Sequence, residues 1–106
     1  MARDFVVGLG SNLGERERYL SSAVTRIAQS SLPLRVSALS RVFESDPVGP
    51  PQDRFLNAAV RIVGAIDPEA LLDRLLAIEL ELGRVRDVRW GPRVIDLDLL
   101  WSDELV

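Results

Sequence analysis

Apolar residues in this chain switch between two spacings, and the order of the switches limits the possible folds more than any other feature. Residues 5–10 (FVVGLG) form a short apolar run ending in glycines, the pattern of a buried strand. The turn Ser11-Asn12-Leu13-Gly14 follows. Tyr19, Leu20, Ala23, Val24, Ile27 and Ala28 then recur at helical spacing while Arg16, Arg18 and Arg26 fall elsewhere, which predicts a helix over residues 15–30 stopped by Pro33. Residues 34–45 alternate weakly and are rich in Val, Ser and Phe, so they read as one strand with a solvated face. Residues 46–53 (DPVGPPQD) hold three of the six prolines and form a loop. Residues 54–63 read as another strand, ended by Gly64. Asp67 caps a second helix with Pro68 in its first turn. Its core stripe is Leu71, Leu75, Ile78 and Leu82, and Gly83 closes it. Residues 93–101 supply the last strand.

The order β-α-β-β-α-β predicts an α+β fold of the ferredoxin-like type, a four-stranded antiparallel sheet with two helices on one face. The other face is left to solvent or a ligand. At 106 residues the chain suits one domain, 1–106, with a real core. It contains no cysteine and no histidine, and its thirteen basic residues are all arginine. Thiol, imidazole and lysine chemistry are therefore excluded, leaving carboxylates, guanidinium groups, backbone and a borrowed metal. A net charge of −3 argues against nucleic acid as a general partner. No run approaches the ~18 apolar residues of a membrane span, and the start lacks the apolar stretch of a secretory signal. A cytoplasmic location is expected.

The chemistry concentrates in residues 79–98, ELELGRVRDVRWGPRVIDLD. Arg84, Arg86, Arg89 and Arg93 surround a Trp-Gly-Pro turn, and Asp96 and Asp98 follow two residues apart. Guanidinium groups bind phosphate oxygens bidentately, and paired carboxylates beside phosphate are the usual Mg²⁺ ligands. On the last strand, alternation puts Ile95, Leu97, Leu99 and Trp101 on one face and Val94, Asp96, Asp98 and Leu100 on the other. Strand geometry then spaces the two aspartate Cα atoms ~6–7 Å apart, within reach of one metal or two adjacent ones. Taken singly, each part has an ordinary explanation as a solvated face; adjacent, they form a polyphosphate cradle. Trp90 suits stacking on a base or covering the core edge equally well. Glu79, off the main apolar stripe, suits orienting an arginine, bonding a ribose, or a plain surface role. Gly10-Ser11-Asn12 fits an anion-facing turn or an ordinary helix start. Phe55 and Asn57 share one strand face, where they can stack on and hydrogen-bond a flat heterocycle.

The blocks GLGSNLG, DPVGPPQDRFLNAAV and ELGRVRDVRWGPRVIDLDLL closely resemble the 6-hydroxymethyl-7,8-dihydropterin pyrophosphokinase family of folate biosynthesis. The resemblance covers nearly the whole chain and itself implies a ferredoxin-like core. It implies transfer of the β,γ-diphosphate of ATP to the pterin hydroxymethyl group, with release of AMP. By position, Asp96 and Asp98 would bind two Mg²⁺ ions and, with Arg84 and Arg93, form the catalytic set. Arg84, Arg86, Arg89, Trp90 and Arg93 would lie on the loop that closes over ATP, with Glu79 and Leu99 also on the nucleotide side. Pterin recognition would fall to Ser45, Asp46, Val48, Phe55 and Asn57, although Asp46 stands where the family often has another residue. Leu76 stands where some members carry a polar nucleotide contact. Family enzymes continue beyond the position matching Val106, with a histidine, an arginine and an aromatic of the active site in that continuation. The resemblance therefore leaves three readings: an enzyme that is slow or completed by another subunit, a binding module without turnover, and part of a longer enzyme. An uncovered sheet edge favours a homodimer.

Overall fold

The computed structural model describes residues 2–49, 51–83 and 93–103. Its elements are β1 (Arg3–Ser11), α1 (Arg16–Ala28), β2 (Leu34–Leu39), β3 (Phe43–Ser45), β4 (Phe55–Gly64), α2 (Pro68–Glu81) and β5 (Asp96–Ser102). β1 and β4 occupy the middle of the sheet, each burying one face while pairing on both sides. Phe5, Val7 and Leu9 point into the core, and β1 pairs antiparallel with β4 from Arg3↔Gly64 to Ser11↔Leu56. β5 pairs antiparallel along its other side. β2 and β3 share the outer edge of β4, so the strand order is β2/β3-β4-β1-β5. This is the antiparallel, ferredoxin-like layout the element order predicts.

Both helices cover the same sheet face. Leu20, Ala23 and Ile27 of α1 and Leu71, Leu75 and Ile78 of α2 are buried against Leu56, Ala58, Val60 and Ile62 of β4 and Leu97 of β5. α1 spans β1, β4 and β2, while α2 lies on β5 and against α1. Ala28, at the end of its stripe, is exposed, and Leu82 is only partly buried.

Four local expectations are corrected. Residues 34–45 do not form one strand: β2 and β3 are separated at residues 40–42. Ser40 bridges the gap, donating its N–H to Ala59 O (2.8 Å) and accepting the Ala59 N–H at Oγ (2.8 Å). A hydroxyl thus completes the ladder where the main chain turns aside. Within β2, the pairing passes from Val36↔Ile62 to Ala38↔Arg61, so Ser37 is an extra residue, a bulge that bends the edge.

A second bulge lies in β5. Val7 pairs with Leu99 and Val6 with Trp101, leaving Leu100 as the insertion. The face assignment therefore inverts beyond it: Trp101 is 48% exposed and does not join Ile95 and Leu97 in the core, and Ser102 is buried in its place. Asp67 has the extended backbone of a cap but makes no side-chain cap bond; its carboxylate pairs with Arg3 at 3.3 Å. Glu79 is not a surface residue: it is 2% exposed.

Candidate functional site

The helix-free face of the sheet carries Phe55, Asn57, Asp96 and Asp98, and its floor is two glycines. Antiparallel partners share a face, so the pairings set Asn57, Gly10 and Asp96 in one row and Ala59, Gly8 and Asp98 in the next. A Cβ on Gly10 would lie 3.3 Å from the Phe55 ring and 3.5 Å from Asn57 Oδ1, and one on Gly8 only 3.0 Å from Leu100. Side chains from both neighbouring strands thus lean over a bare central strand.

On this floor lies a cleft of about 290 Å³ lined by Ser45, Asp46, Val48, Phe55, Asn57, Arg93 and Asp96. All five residues expected to face a heterocycle are together there, with one of the arginines and one of the acids. Their order is built in. Ser45 pairs across to Phe55 and Phe43 to Asn57. The Asn57 amide donates to Ser45 Oγ at 2.8 Å and to Phe43 O at 3.2 Å. These bonds orient the Asn57 side chain, with its donor end turned toward β3. The loop beside them is braced from α1, where Arg16 donates to Arg54 O (2.8 Å) and pairs with Glu44 (3.6 Å). Asp46 pairs with Arg54 at 3.2 Å in an exposed position. An ion pair so open to solvent orients the loop more than it stabilises it.

A second cleft, about 550 Å³, runs between α2 and β5, lined by residues that include Leu72, Leu76, Glu79, Asp96, Asp98 and Leu99. Glu79 and Leu99, the residues expected on the nucleotide side, are here, with Leu76. Asp96 borders both clefts, so the acid pair lies where the two meet. Glu79 reaches under β5, where Oε2 accepts the Leu97 N–H at 2.8 Å. The helical stripe hid this position, because its carboxylate is buried for the backbone it bonds.

Arg84, Arg86, Arg89 and Trp90 lie outside the described residues. Among the described residues no three His, Cys, Asp or Glu side chains cluster as a metal site. The pair Asp96 and Asp98 still fits Mg²⁺: both present hard oxygen donors on one face above glycine, and Mg²⁺ binds through one or two carboxylates with phosphate and water completing its shell.

Asn12 is a residue that sequence reasoning missed. The Gly10-Ser11-Asn12 turn drew attention for its backbone, whereas the side chain does the bonding. Nδ2 donates to Gln52 Oε1 (2.7 Å) and Asp53 O (3.0 Å), and Oδ1 accepts the Arg93 N–H (2.7 Å). A short amide at the exit of the first strand was the one available signal. Its partners, far along the chain, leave no local trace.

The chain is similar to the 2-amino-4-hydroxy-6-hydroxymethyldihydropteridine pyrophosphokinase of Bacillus subtilis, with 48% identity over 89% of this chain and 56% of that protein. It is 47% identical to the enzyme of the same name from Pseudomonas aeruginosa, over 98% of this chain and 64% of that protein. The Methylorubrum extorquens enzyme of that name is 48% identical over 89% of this chain and 60% of its own length. The chain thus spans 56–64% of these three relatives. The model of one family matches residues 6–106, which include both clefts and the acid pair. This chain belongs to the 7,8-dihydro-6-hydroxymethylpterin-pyrophosphokinase family.

Proposed function

We propose that this chain, as one domain over 1–106, transfers diphosphate from ATP to the hydroxymethyl group of 6-hydroxymethyl-7,8-dihydropterin, giving AMP, in folate biosynthesis. The observation that carries this reading is the first cleft, where Ser45, Asp46, Val48, Phe55 and Asn57 meet Arg93 and Asp96. The cleft is open on its solvent side, and Phe55 supplies one face on which a pterin ring can stack. Asn57 and Ser45 supply polar atoms at its edge. The second cleft receives the nucleotide along Leu76, Glu79 and Leu99.

Asp96 and Asp98 would hold Mg²⁺, two ions with ATP, and the arginines would take the remaining phosphate oxygens. When bound, the metal neutralises phosphate charge and favours displacement at the β-phosphorus. The protein's share is positioning: Asp96, bordering both clefts, sets the acceptor hydroxyl near the diphosphate, and Arg93 neutralises charge from the pterin side. Arg84, Arg86, Arg89 and Trp90 would complete the nucleotide side.

The test is AMP release from ATP, MgCl₂ and the dihydropterin by wild type and by Asp96→Asn and Asp98→Asn. Activity that falls by powers of ten in both variants supports transfer. Tight binding of both ligands without turnover assigns a binding module instead, and equal inertness without binding rejects the reading. Among the described residues no helix is long and apolar enough to cross a membrane. We also propose a cytoplasmic location, with neither nucleic acid nor membrane as partner, and a homodimer through the β5 edge, where Leu100 and Trp101 are exposed. Light scattering that gives the monomer mass at high concentration removes the dimer.

A further inference from the structure

Asn12 is 2% exposed, touches two segments that flank the pterin-side cleft, and is absent from the lining of either cleft. Its amide donates to Gln52 Oε1 and Asp53 O, at the root of the strand that carries Phe55. Its carbonyl oxygen accepts the Arg93 N–H, and its own backbone N–H donates to Arg93 O at 3.0 Å. These partners lie 40, 41 and 81 residues away in sequence. Two donated bonds and one accepted bond call for a side-chain amide, and Asn is the shorter of the two residues that carry one. A buried, fully bonded amide of this kind holds its partners at one spacing.

We propose that Asn12 is a positioning residue that ties the residue 52–53 loop to Arg93 and so sets the width of the pterin-side mouth. The proposal deepens the pterin reading and rests on it for the identity of the ligand. The link itself is mechanical and has a readout that needs no ligand.

The experiment compares Asn12→Ala, Gln52→Ala and Ala23→Gly, the last a destabilising control on the buried face of α1. Amide exchange and shifts are recorded by NMR, and affinity for 6-hydroxymethylpterin is measured with MgCl₂ and a non-hydrolysable ATP analogue. Asn12→Ala is expected to remove exchange protection at Arg93, to shift the Asp53 and Phe55 amides together, and to weaken pterin binding about tenfold, the size of one or two buried hydrogen bonds. Gln52→Ala should move only the loop side and weaken binding less. Ala23→Gly, compared at matched loss of thermal midpoint, should leave pterin affinity unchanged. Retained protection at Arg93 in Asn12→Ala, or an equal affinity loss in Ala23→Gly, overturns the proposal. Should Asn12→Ala not fold, Asn12→Asp keeps the acceptor for Arg93 and loses the donors, so exchange protection at Arg93 must persist while the Asp53 and Phe55 amides shift; lost protection at Arg93 overturns the assignment. Amide effects as expected in a wild-type background that binds no pterin leave the link standing and overturn the pterin reading instead.

Discussion

Glu79 on α2 and Leu97 on β5 are joined by a hydrogen bond from the Leu97 N–H to Glu79 Oε2 at 2.8 Å, with Glu79 2% exposed. Leu97 lies between the two acids, so a helix side chain fixes the strand segment that presents them. Glu79→Ala leaves that N–H without its partner and opens a space, and should lower stability by about 2–4 kcal/mol. Glu79→Gln keeps an acceptor and should lose about 1 kcal/mol or less. Urea unfolding separates the two; equal losses would show that the bond contributes little.

Neighbouring leucines on α2 make a second prediction. Leu75 is 1% exposed and Leu76 45% exposed. Leu75→Ala should destabilise the fold by about 2–5 kcal/mol through an internal cavity. Leu76→Ala should change stability by no more than about 0.5 kcal/mol. Because Leu76 lines the second cleft, proposed to receive the nucleotide, its truncation should weaken ATP-analogue binding about fivefold, the worth of roughly a methylene or two of contact. Calorimetry and thermal melts on the two variants check the contrast.

Gly10 tests the floor of the first cleft. A side chain there meets the Phe55 ring at 3.3 Å, so Gly10→Val must displace the ring on which a pterin would stack. A β-branched residue suits a central strand, so unfolding is not expected. The expected result is about tenfold weaker binding of 6-hydroxymethylpterin with little loss of thermal midpoint. Unchanged affinity would remove Phe55 from the binding reading.

Acid should loosen the contact between the helices. Glu81 accepts from Arg26 at 2.8 Å and from Arg74 at 3.1 Å, and these partners, the Arg26 bond first, hold its carboxyl below the ordinary value of 4.5. A carboxyl lowered in the folded state stabilises the fold above its unfolded pKa, and this contribution is lost as pH falls through the folded pKa. Glu81→Gln should therefore melt below wild type at neutral pH, with the gap closing as the pH drops below about 4.5. A gap that stays constant across melts from pH 3 to pH 7, on the order of four units, would count against the ion pairs.

The fold was legible because its two periodicities are distinct. Residues 5–10 are a short apolar run ending in glycine, whereas Leu71, Leu75 and Ile78 recur by turns of a helix. Asp96, Asp98, Phe55 and Asn57 were legible as face-sharing pairs for the same reason, since parity survives wherever a strand is regular. Parity failed at Trp101, because a single inserted residue at Leu100 has no compositional mark. It failed again in residues 34–45, where Ser37 and Ser40 serve the backbone rather than either face. Glu79 and Asn12 escaped because each bonds a main-chain N–H of another element, 18 and 81 residues away, and a backbone partner leaves no mark on the residue type at either end.

The insertion at Leu100 lies beyond Asp98, not before it. The phase of the two acids is therefore counted only from the pairings with Gly8 and Gly10, and nothing that happens later in β5 can turn them inward. An added or deleted residue past that point rotates Trp101 and Ser102 alone. The last strand is in effect two instruments with separate tuning, one set by the acid pair and the other by whatever rests against an indole.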